Sequence, residues 1–258
     1  MSYLTDILGS TRLRVEELKA KLREDVLEQR IASAGDARPM APALRVPDEI
    51  SIIAEIKRAS PARGPLNLDL NAEQTAAAYA RGGAAAISVL TEPEYFRGSP
   101  EDLQAAARAG PPVLRKDFII DPFQVLESRA MGADAVLVIM RAVSEQAHSL
   151  LAATRAVGME ALVEVHDEAE VERALNAGAE LIGINHRNLE TFEVDPECTA
   201  KLAPLLPSEA TVVALSGVST RAEVEQLGAV GADAVLVGES LVVSADPEAQ
   251  LRSLRGLE

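Results

Sequence analysis

The sequence predicts an α/β fold in which eight βα units close as a barrel, preceded by a helical extension. Eight short, β-branched apolar runs recur along the chain, and the segments between them carry helix-capping residues. The G-x-G-x-x-G motif that marks an open doubly wound sheet is absent after the first run. A chain of 258 residues is also typical of an α/β barrel, although length alone leaves one or two domains open.

The apolar runs are continuous rather than alternating, as in strands that are covered on both faces. Their starts lie 21 to 33 residues apart, which leaves room for one helix between successive strands. They begin near residues 51, 84, 112, 134, 160, 181, 211 and 234.

Helix ends can be assigned between these strands. Ser99 and Asp121 are predicted N-caps because each is followed by proline, a favourable first helical residue. Asp167 is predicted to cap a third helix, with Glu170 at the capping-box position. Further ends are indicated by Gly110, Gly132, Ser144, Gly158 and Gly178.

Residues 1–48 lie outside the eight repeats. Leu and Ile recur there at helical spacing among mixed charges, followed by the proline-punctuated "ARPMAPALRVP". We therefore expect residues 1–48 to be a helical extension packed on the barrel, which could cover one mouth, and residues 49–258 to form a single (βα)8 TIM-barrel domain.

Composition excludes several classes of function. The formal charge of −15, with no local cluster of Lys or Arg, disfavours binding to nucleic acid and to anionic membrane surfaces. No signal peptide or long apolar span is present in this sequence, and Cys198 is its single cysteine. The expectation is a cytoplasmic protein without a disulfide framework.

Barrel active sites form at the carboxyl ends of the strands, which selects a small set of polar residues. Glu55 and Lys57 are two apart on the first strand and therefore point to the same side. The later strands supply Lys116, Glu164, Asn185 and Arg187. Lysines and carboxylates converging on an apolar mouth shift each other's pKa values, as acid–base catalysis requires, although an ion-pair network with a purely structural role is the alternative.

The last two strands end differently, in "SGVST" and "GES". Glycines, hydroxyls and backbone N–H groups at these positions favour a phosphate site, with Lys57 as a counter-charge. Ordinary glycine-bearing turns are the alternative. A metal site is not expected, because His166 and His186 lack metal-ligand spacing.

Taken in order, these residues resemble the indole-3-glycerol-phosphate synthase family of tryptophan biosynthesis. The matching motifs extend over roughly residues 50 to 245. They are "IIAEIKRASPARG", "SVLTEPEYFRGS", "LRKDFIIDPFQV", "LVEVHDEAE", "GINHRNLETFEVD" and "VLVGESL".

The resemblance implies a lyase that converts 1-(2-carboxyphenylamino)-1-deoxyribulose 5-phosphate to indole-3-glycerol phosphate, with loss of carbon dioxide and water and without a cofactor. It implies that Lys116 is the acid for ring closure and that Glu164 and Lys57 serve the dehydration. Glu55 would orient the lysines, and Asn185 would bind the substrate.

The remaining implied contacts fall into two groups. The substrate-binding group is Ser60, Phe96, Phe118, Leu137, Arg187, Leu189, Leu215 and Ser216. The phosphate-binding group is Lys57, Gly217, Gly238, Glu239 and Ser240, with the Glu239 side chain turned away. The expected partner is a phosphorylated small molecule, and the chain is expected to be a monomer or weak homo-oligomer, with association with other tryptophan-pathway enzymes left open.

Two positions depart from the pattern of the family. His186 replaces an amide and is expected to face away from the site, whereas Leu215 stands where the family pattern has a glutamate of the active-site cluster. Loss of that carboxylate predicts reduced turnover with binding retained. Two alternatives therefore stay open: an impaired descendant that only binds the ligand, and another phosphate-binding barrel such as a phosphoribosylanthranilate isomerase.

Overall fold

Eight parallel strands close into a barrel in the computed structural model, which describes residues 3–188 and 193–257. The strands are β1 (Ser51–Ile56), β2 (Ala59–Ser60), β3 (Gly64–Pro65), β4 (Ala86–Leu90), β5 (Val113–Lys116), β6 (Ala135–Ile139), β7 (Glu160–Val165), β8 (Leu181–Asn185), β9 (Thr211–Leu215) and β10 (Ala234–Val237). β1 and β4 to β10 form the barrel, in which β1 pairs with both β4 and β10. The predicted (βα)8 barrel is confirmed, and the hairpin of β2 and β3 is an addition in the first βα loop.

Helices surround this sheet and precede it. They are α1 (Tyr3–Lys21), α2 (Glu24–Ser33), α3 (Met40–Leu44), α4 (Ala72–Gly82), α5 (Pro100–Ala106), α6 (Pro122–Ala130), α7 (Met140–Val143), α8 (Ala147–Ala156), α9 (Glu168–Asn176), α10 (Cys198–Leu202), α11 (Arg221–Ala229), α12 (Glu239–Val242) and α13 (Pro247–Leu254). No helix among the described residues is long and apolar enough to cross a bilayer.

The barrel strands bury both of their faces, which explains their continuous apolar runs. Ile53 of β1 lies in a lumen cluster with Leu137 and Leu236, whereas its neighbours Ile52 and Ala54 pack in the layer beneath the helices. Alternate residues therefore fill two separate cores, as the two-residue period of a strand requires. The polar residues at the carboxyl ends of the strands lie above the lumen cluster.

The predicted helix starts at Ser99, Asp121 and Asp167 are confirmed, since each side chain accepts a backbone hydrogen bond from the first turn of its helix. Glu170 behaves differently from a capping-box residue, because its carboxylate accepts from the backbone N–H of His166 at 2.9 Å. Near Ser144, a short 3₁₀ turn precedes α8, which begins at Ala147.

The N-terminal segment is helical and consists of α1, α2 and the short α3. Leu4 and Ile7 of α1 lie at the carboxyl mouth of the barrel and belong to the lumen cluster. Met40 of α3 belongs to the same cluster, and Glu160 at the start of β7 accepts a hydrogen bond from Ala41 N at 2.9 Å. The segment thus contacts both ends of the barrel.

Candidate active site

A cavity of about 730 Å³ opens at the carboxyl mouth of the barrel. Most of the predicted site residues line it, although they come from six different strands and loops. Those on its wall are Glu55, Lys57, Ser60, Phe96, Lys116, Phe118, Asn185, Arg187, Leu215, Ser216, Gly217, Gly238, Glu239 and Ser240. Leu189 lies outside the described residues.

A buried carboxylate joins the two lysines. Glu55 Oε1 lies 2.6 Å from Lys57 Nζ, and Glu55 Oε2 lies 3.4 Å from Lys116 Nζ. The Glu55 side chain is 2% exposed, whereas the lysines are about one-fifth exposed toward the cavity. One anion therefore fixes two cations at the cavity wall, with Tyr79 donating a hydrogen bond to the backbone carbonyl of Glu55 from behind.

The charges in this cluster determine its protonation. Burial opposes ionisation of Glu55, but the charges of Lys116 and Lys57 outweigh it and hold the pKa of Glu55 below its usual value. Burial likewise opposes the charge on Lys116, yet Glu55 and Glu164 raise the pKa of Lys116 above its usual value. Lys116 is therefore an ammonium group at neutral pH even though Leu215 supplies no charge.

Glu164 lies behind the cavity wall. Its carboxylate is 2% exposed and accepts a 2.9 Å hydrogen bond from Asn185 Nδ2, and Asn185 itself lines the cavity. Leu137, which was also predicted to contact substrate, is 2% exposed in the lumen cluster and does not line the cavity. The reason is depth: Leu137 is the middle residue of β6, below the strand end that faces the mouth.

One side of the cavity is apolar. The rings of Phe96 and Phe118 lie 6.5 Å apart at an interplanar angle of 41°. Leu215, at the end of β9, pairs in register with Asn185 and contributes apolar surface to the wall while belonging to the lumen cluster. Such a slot suits a flat aromatic group.

Another part of the wall is formed by the turns after β9 and β10. Ser216 and Gly217 both adopt left-handed backbone conformations, with φ of 71° and 83°, which turn the chain sharply beside the cavity. Ser240 Oγ is buried and has no hydrogen-bond partner among the described residues. Glu239 turns its carboxylate to Arg63, with Nε 3.1 Å from Oε1.

Sequence reasoning missed several residues of the wall. Tyr3, Leu4 and Ile7 of α1 line the cavity, and the edge of the Tyr3 ring meets Tyr95. Their helical spacing is visible in the sequence, but which mouth they cover depends on how α1 docks. Arg63, in the hairpin after β1, also lines the cavity, and no strand-end rule selects it.

The histidines have separate environments. His186 is buried and its Nε2 lies 2.7 Å from Thr199 Oγ1 of α10, so that it faces away from the mouth. His166 lies beside Glu164, on the far side from the cavity. Within residues 3–188 and 193–257, no group of three or more His, Cys, Asp or Glu side chains is arranged to hold a metal ion.

Comparison with known proteins decides the family. The family model described as indole-3-glycerol phosphate synthase matches residues 4–254. The chain belongs to the indole-3-glycerol phosphate synthase family. The predicted family, its lyase activity and its place in tryptophan biosynthesis are thereby confirmed, and the isomerase alternative is disfavoured.

Individual relatives agree with this result. An indole-3-glycerol phosphate synthase of Mycolicibacterium gilvum is 47% identical over 98% of this chain and 93% of its own length. One from a Parafrankia species is 49% identical over 96% of this chain and 92% of its own length. Among solved structures, a thiamine phosphate pyrophosphorylase from Pyrococcus furiosus is 17% identical with a TM-score of 0.63, covering 84% of this chain and 96% of its own, which bears on the fold alone.

Proposed function

We propose that this chain closes the indole ring of 1-(2-carboxyphenylamino)-1-deoxyribulose 5-phosphate, releasing carbon dioxide and water. The observation that carries the proposal is the Lys116 ammonium group on the cavity wall, 3.4 Å from the buried Glu55. The wall of the same cavity includes an aromatic slot and a serine hydroxyl without a hydrogen-bond partner among the described residues. A substrate with an aryl ring at one end and a phosphate at the other matches this arrangement.

Ring closure requires a proton at the substrate carbonyl oxygen as the aryl carbon attacks the carbonyl carbon. Lys116 is the proposed donor, since the pKa of its ammonium group is raised by Glu55 and Glu164 against the opposing effect of burial. Its positive charge also stabilises the developing alkoxide. Loss of carbon dioxide from the attacking aryl carbon then returns the electron pair of the broken C–C bond to the aromatic ring.

Dehydration expels the new hydroxyl group and removes a proton from the adjacent carbon of the newly closed five-membered ring, which forms the indole double bond. We assign these steps to Lys57 as acid and Glu164 as base, with Glu55 holding both lysines in place. Because Glu164 lies behind Asn185, proton removal by Glu164 requires its carboxylate to displace the Asn185 amide or to act across it. Asn185 and Arg187 are assigned to the hydroxyl and carboxylate groups of the substrate, with Ser60.

The phosphate is assigned to the turns after β9 and β10. The unpartnered Ser240 Oγ supports this assignment because a buried hydroxyl group without a partner costs free energy until a ligand supplies one. Lys57, which lies beside Gly238, supplies positive charge to this site. Gly217, Gly238 and the backbone of Glu239 complete the proposed phosphate site.

Gly238 offers a test of this assignment. A Cβ at this position would lie 2.5 Å from Glu55 Oε1 and 3.1 Å from Lys57 Nζ. We expect Gly238→Ala to lower kcat/KM by roughly tenfold, since displaced catalytic groups lose their alignment. Gly9→Ala is the matched control because a Cβ there meets nothing within 4 Å. Equal kinetics for the two variants would contradict the proposed contact between this turn and the ion pair.

Leu215 is proposed to limit turnover. We expect Leu215→Glu to raise kcat on the order of tenfold, since a correctly placed charge contributes strongly to transition-state stabilisation. Leu215→Gln has nearly the same shape without the charge and should give no gain. If Leu215→Glu also gives no gain, the raised pKa of Lys116 shows how the chain has compensated, through Glu55 and Glu164.

The whole proposal is tested by incubating the purified chain with the carboxyphenylamino-deoxyribulose phosphate and following the fluorescence of indole-3-glycerol phosphate. Product formation above background supports catalysis. Ligand binding measured by calorimetry without any product would instead favour the binding-only alternative.

The proposal extends to location and assembly. We propose a cytoplasmic chain folded as one domain, with residues 1–48 as an extension packed on the barrel of residues 49–258. We further propose that it is a monomer or weak homo-oligomer that works beside other enzymes of the tryptophan pathway. Analytical ultracentrifugation of the purified chain would measure its oligomeric state.

A further inference from the structure

His166 links the proposed base to a second carboxylate outside the cavity. Its Nε2 lies 3.3 Å from Glu164 Oε1, and its Nδ1 lies 3.0 Å from Glu170 Oε2. The imidazole side chain is 6% exposed, and both carboxylate side chains are 2% exposed. Three ionisable side chains are therefore packed together away from bulk water.

Glu170 is firmly held. Besides the imidazole, its carboxylate accepts a hydrogen bond from the backbone N–H of His166 at 2.9 Å and from Arg141 Nε at 2.9 Å. Glu170 is the third residue of α9, where a capping-box glutamate would bind the N-cap backbone, yet its side chain reaches back to His166 instead. The helix start is thus used to fix the histidine.

The contacts of the ring determine its protonation. A neutral imidazole has one N–H and one lone pair, so one of its two nitrogens would direct a lone pair at a carboxylate oxygen. Nε2 has no hydrogen-bond partner among the described residues, and its nearest carboxylate contact is the ion-pair distance to Glu164. Only the doubly protonated ring is attracted to both carboxylates.

We propose that His166 is a positioning residue for the reaction, acting as an imidazolium that holds the Glu164 carboxylate in place beside Asn185. The inference rests on the proposed role of Glu164 as the base. The imidazolium and the Asn185 amide approach the same carboxylate from different elements, which limits its rotation. The Glu164 carboxylate also raises the pKa of Lys116, so its position affects the protonation of that lysine.

The surrounding charges agree with a protonated ring. Burial lowers the pKa of His166, but the hydrogen bond to Glu170 and the charges of Glu164 and Glu170 raise it above the ordinary value, against an opposing effect of Arg141. A second cavity lies next to His166, and other titratable groups line it from the start of α9, the end of β8, α10 and the chain before α10. They are Asp167, His186, Glu193, Asp195 and Cys198.

The direction of the pH effect follows from the raised pKa of His166. At pH values below this pKa the imidazolium attracts both carboxylates, and at pH values above it a nitrogen lone pair faces one of them. Nδ1 keeps its proton because its contact with Glu170 is the shorter, so Nε2 loses the proton and Glu164 loses its restraint. We therefore expect kcat to fall with rising pH in a one-proton step above about 6.5, the ordinary histidine value, and below the range of Lys116.

Two measurements test the inference. In the full chain, which has three histidines, the imidazole ¹⁵N resonances should show His166 doubly protonated above about pH 6.5, the ordinary histidine pKa. His166→Gln should lower kcat about tenfold at neutral pH, remove the alkaline step and leave KM within about twofold, because a misplaced catalytic group affects turnover more than binding. His148→Gln is the matched control and should change neither quantity.

The outcomes separate this inference from the proposed function. A neutral His166 at pH 7, or an unchanged pH profile in folded His166→Gln, overturns the positioning role. If Glu164→Gln leaves turnover unchanged, the assignment of the base fails instead. Should His166→Gln not fold, Glu170→Gln provides the second variant, and it must lower the pKa of His166 and move the alkaline step of kcat to lower pH.

Discussion

Replacing Lys116 with methionine should lower kcat by about 10³-fold or more while the barrel remains folded. The variant removes both the proton donor for ring closure and the cation that stabilises the alkoxide, two effects that each contribute on the order of 10²-fold or more. Methionine keeps most of the length and volume of the side chain. Binding of the substrate, measured by calorimetry, should weaken far less than turnover.

The Lys116→Met substitution can also affect stability, because Glu55 loses one of its two cationic partners. Lys57 still contacts Glu55 at 2.6 Å, so the carboxylate stays paired and the variant should retain a cooperative thermal transition. Lys21→Met is the matched control, because the side chain of Lys21 is 74% exposed on α1 and should leave kcat unchanged. Turnover by Lys116→Met at the rate of this control would remove Lys116 from the mechanism.

Replacing Glu55 with glutamine should lower kcat by about 10²-fold and change the pH profile. The amide cannot hold two ammonium groups by charge, so both lysines lose their fixed positions. Because Glu55 raises the pKa of Lys116, its loss lowers that pKa and moves the alkaline decline of kcat due to Lys116 to lower pH. A kcat–pH profile of both proteins measures the shift.

The ion pairs of Glu55 with Lys57 and Lys116 also make the stability of the fold depend on pH in the acid range. The pKa of Glu55 is depressed in the folded chain, so the stability contributed by its charge is present above the ordinary glutamate pKa and is lost as pH falls through the depressed value. Glu55→Gln should therefore show a weaker loss of stability on acidification than the parent chain. Glu248→Gln, which removes only the surface pair with Arg81, is the control, and a matching response in both variants would contradict the role of Glu55.

The fold was predictable from the sequence because each strand is covered on both faces and each helix start needs a capping group. Those two requirements act locally, so the apolar runs and residues such as Ser99 and Asp121 reveal them without knowledge of the whole. Asp167 caps its helix as predicted, but the Glu170 carboxylate binds His166 and not the N-cap backbone. Local propensity cannot show that such a partner is within reach.

Much of the cavity wall was also predictable, since strand parity places Glu55 and Lys57 on one side and parallel strands end at one mouth. The depth of a residue below that mouth could not be predicted from the sequence. Glu164 lies on a strand whose end faces the cavity, yet its carboxylate lies behind Asn185, and Leu137 lies in the layer beneath. Parity gives the direction of a side chain but not its height in a tilted, staggered barrel.

The sequence by itself determined the eightfold alternation, the mouth at which polar side chains gather and the motifs that the family shares. Only the tertiary structure decided which groups touch: the single carboxylate between Lys57 and Lys116, the docking of α1 over the cavity and the contact of His166 with Glu164. The physical reason is the separation along the chain of the residues that interact. Strand period and helix capping depend on neighbours along the chain, whereas the charge state of a buried side chain depends on groups brought within about 4 Å from distant segments.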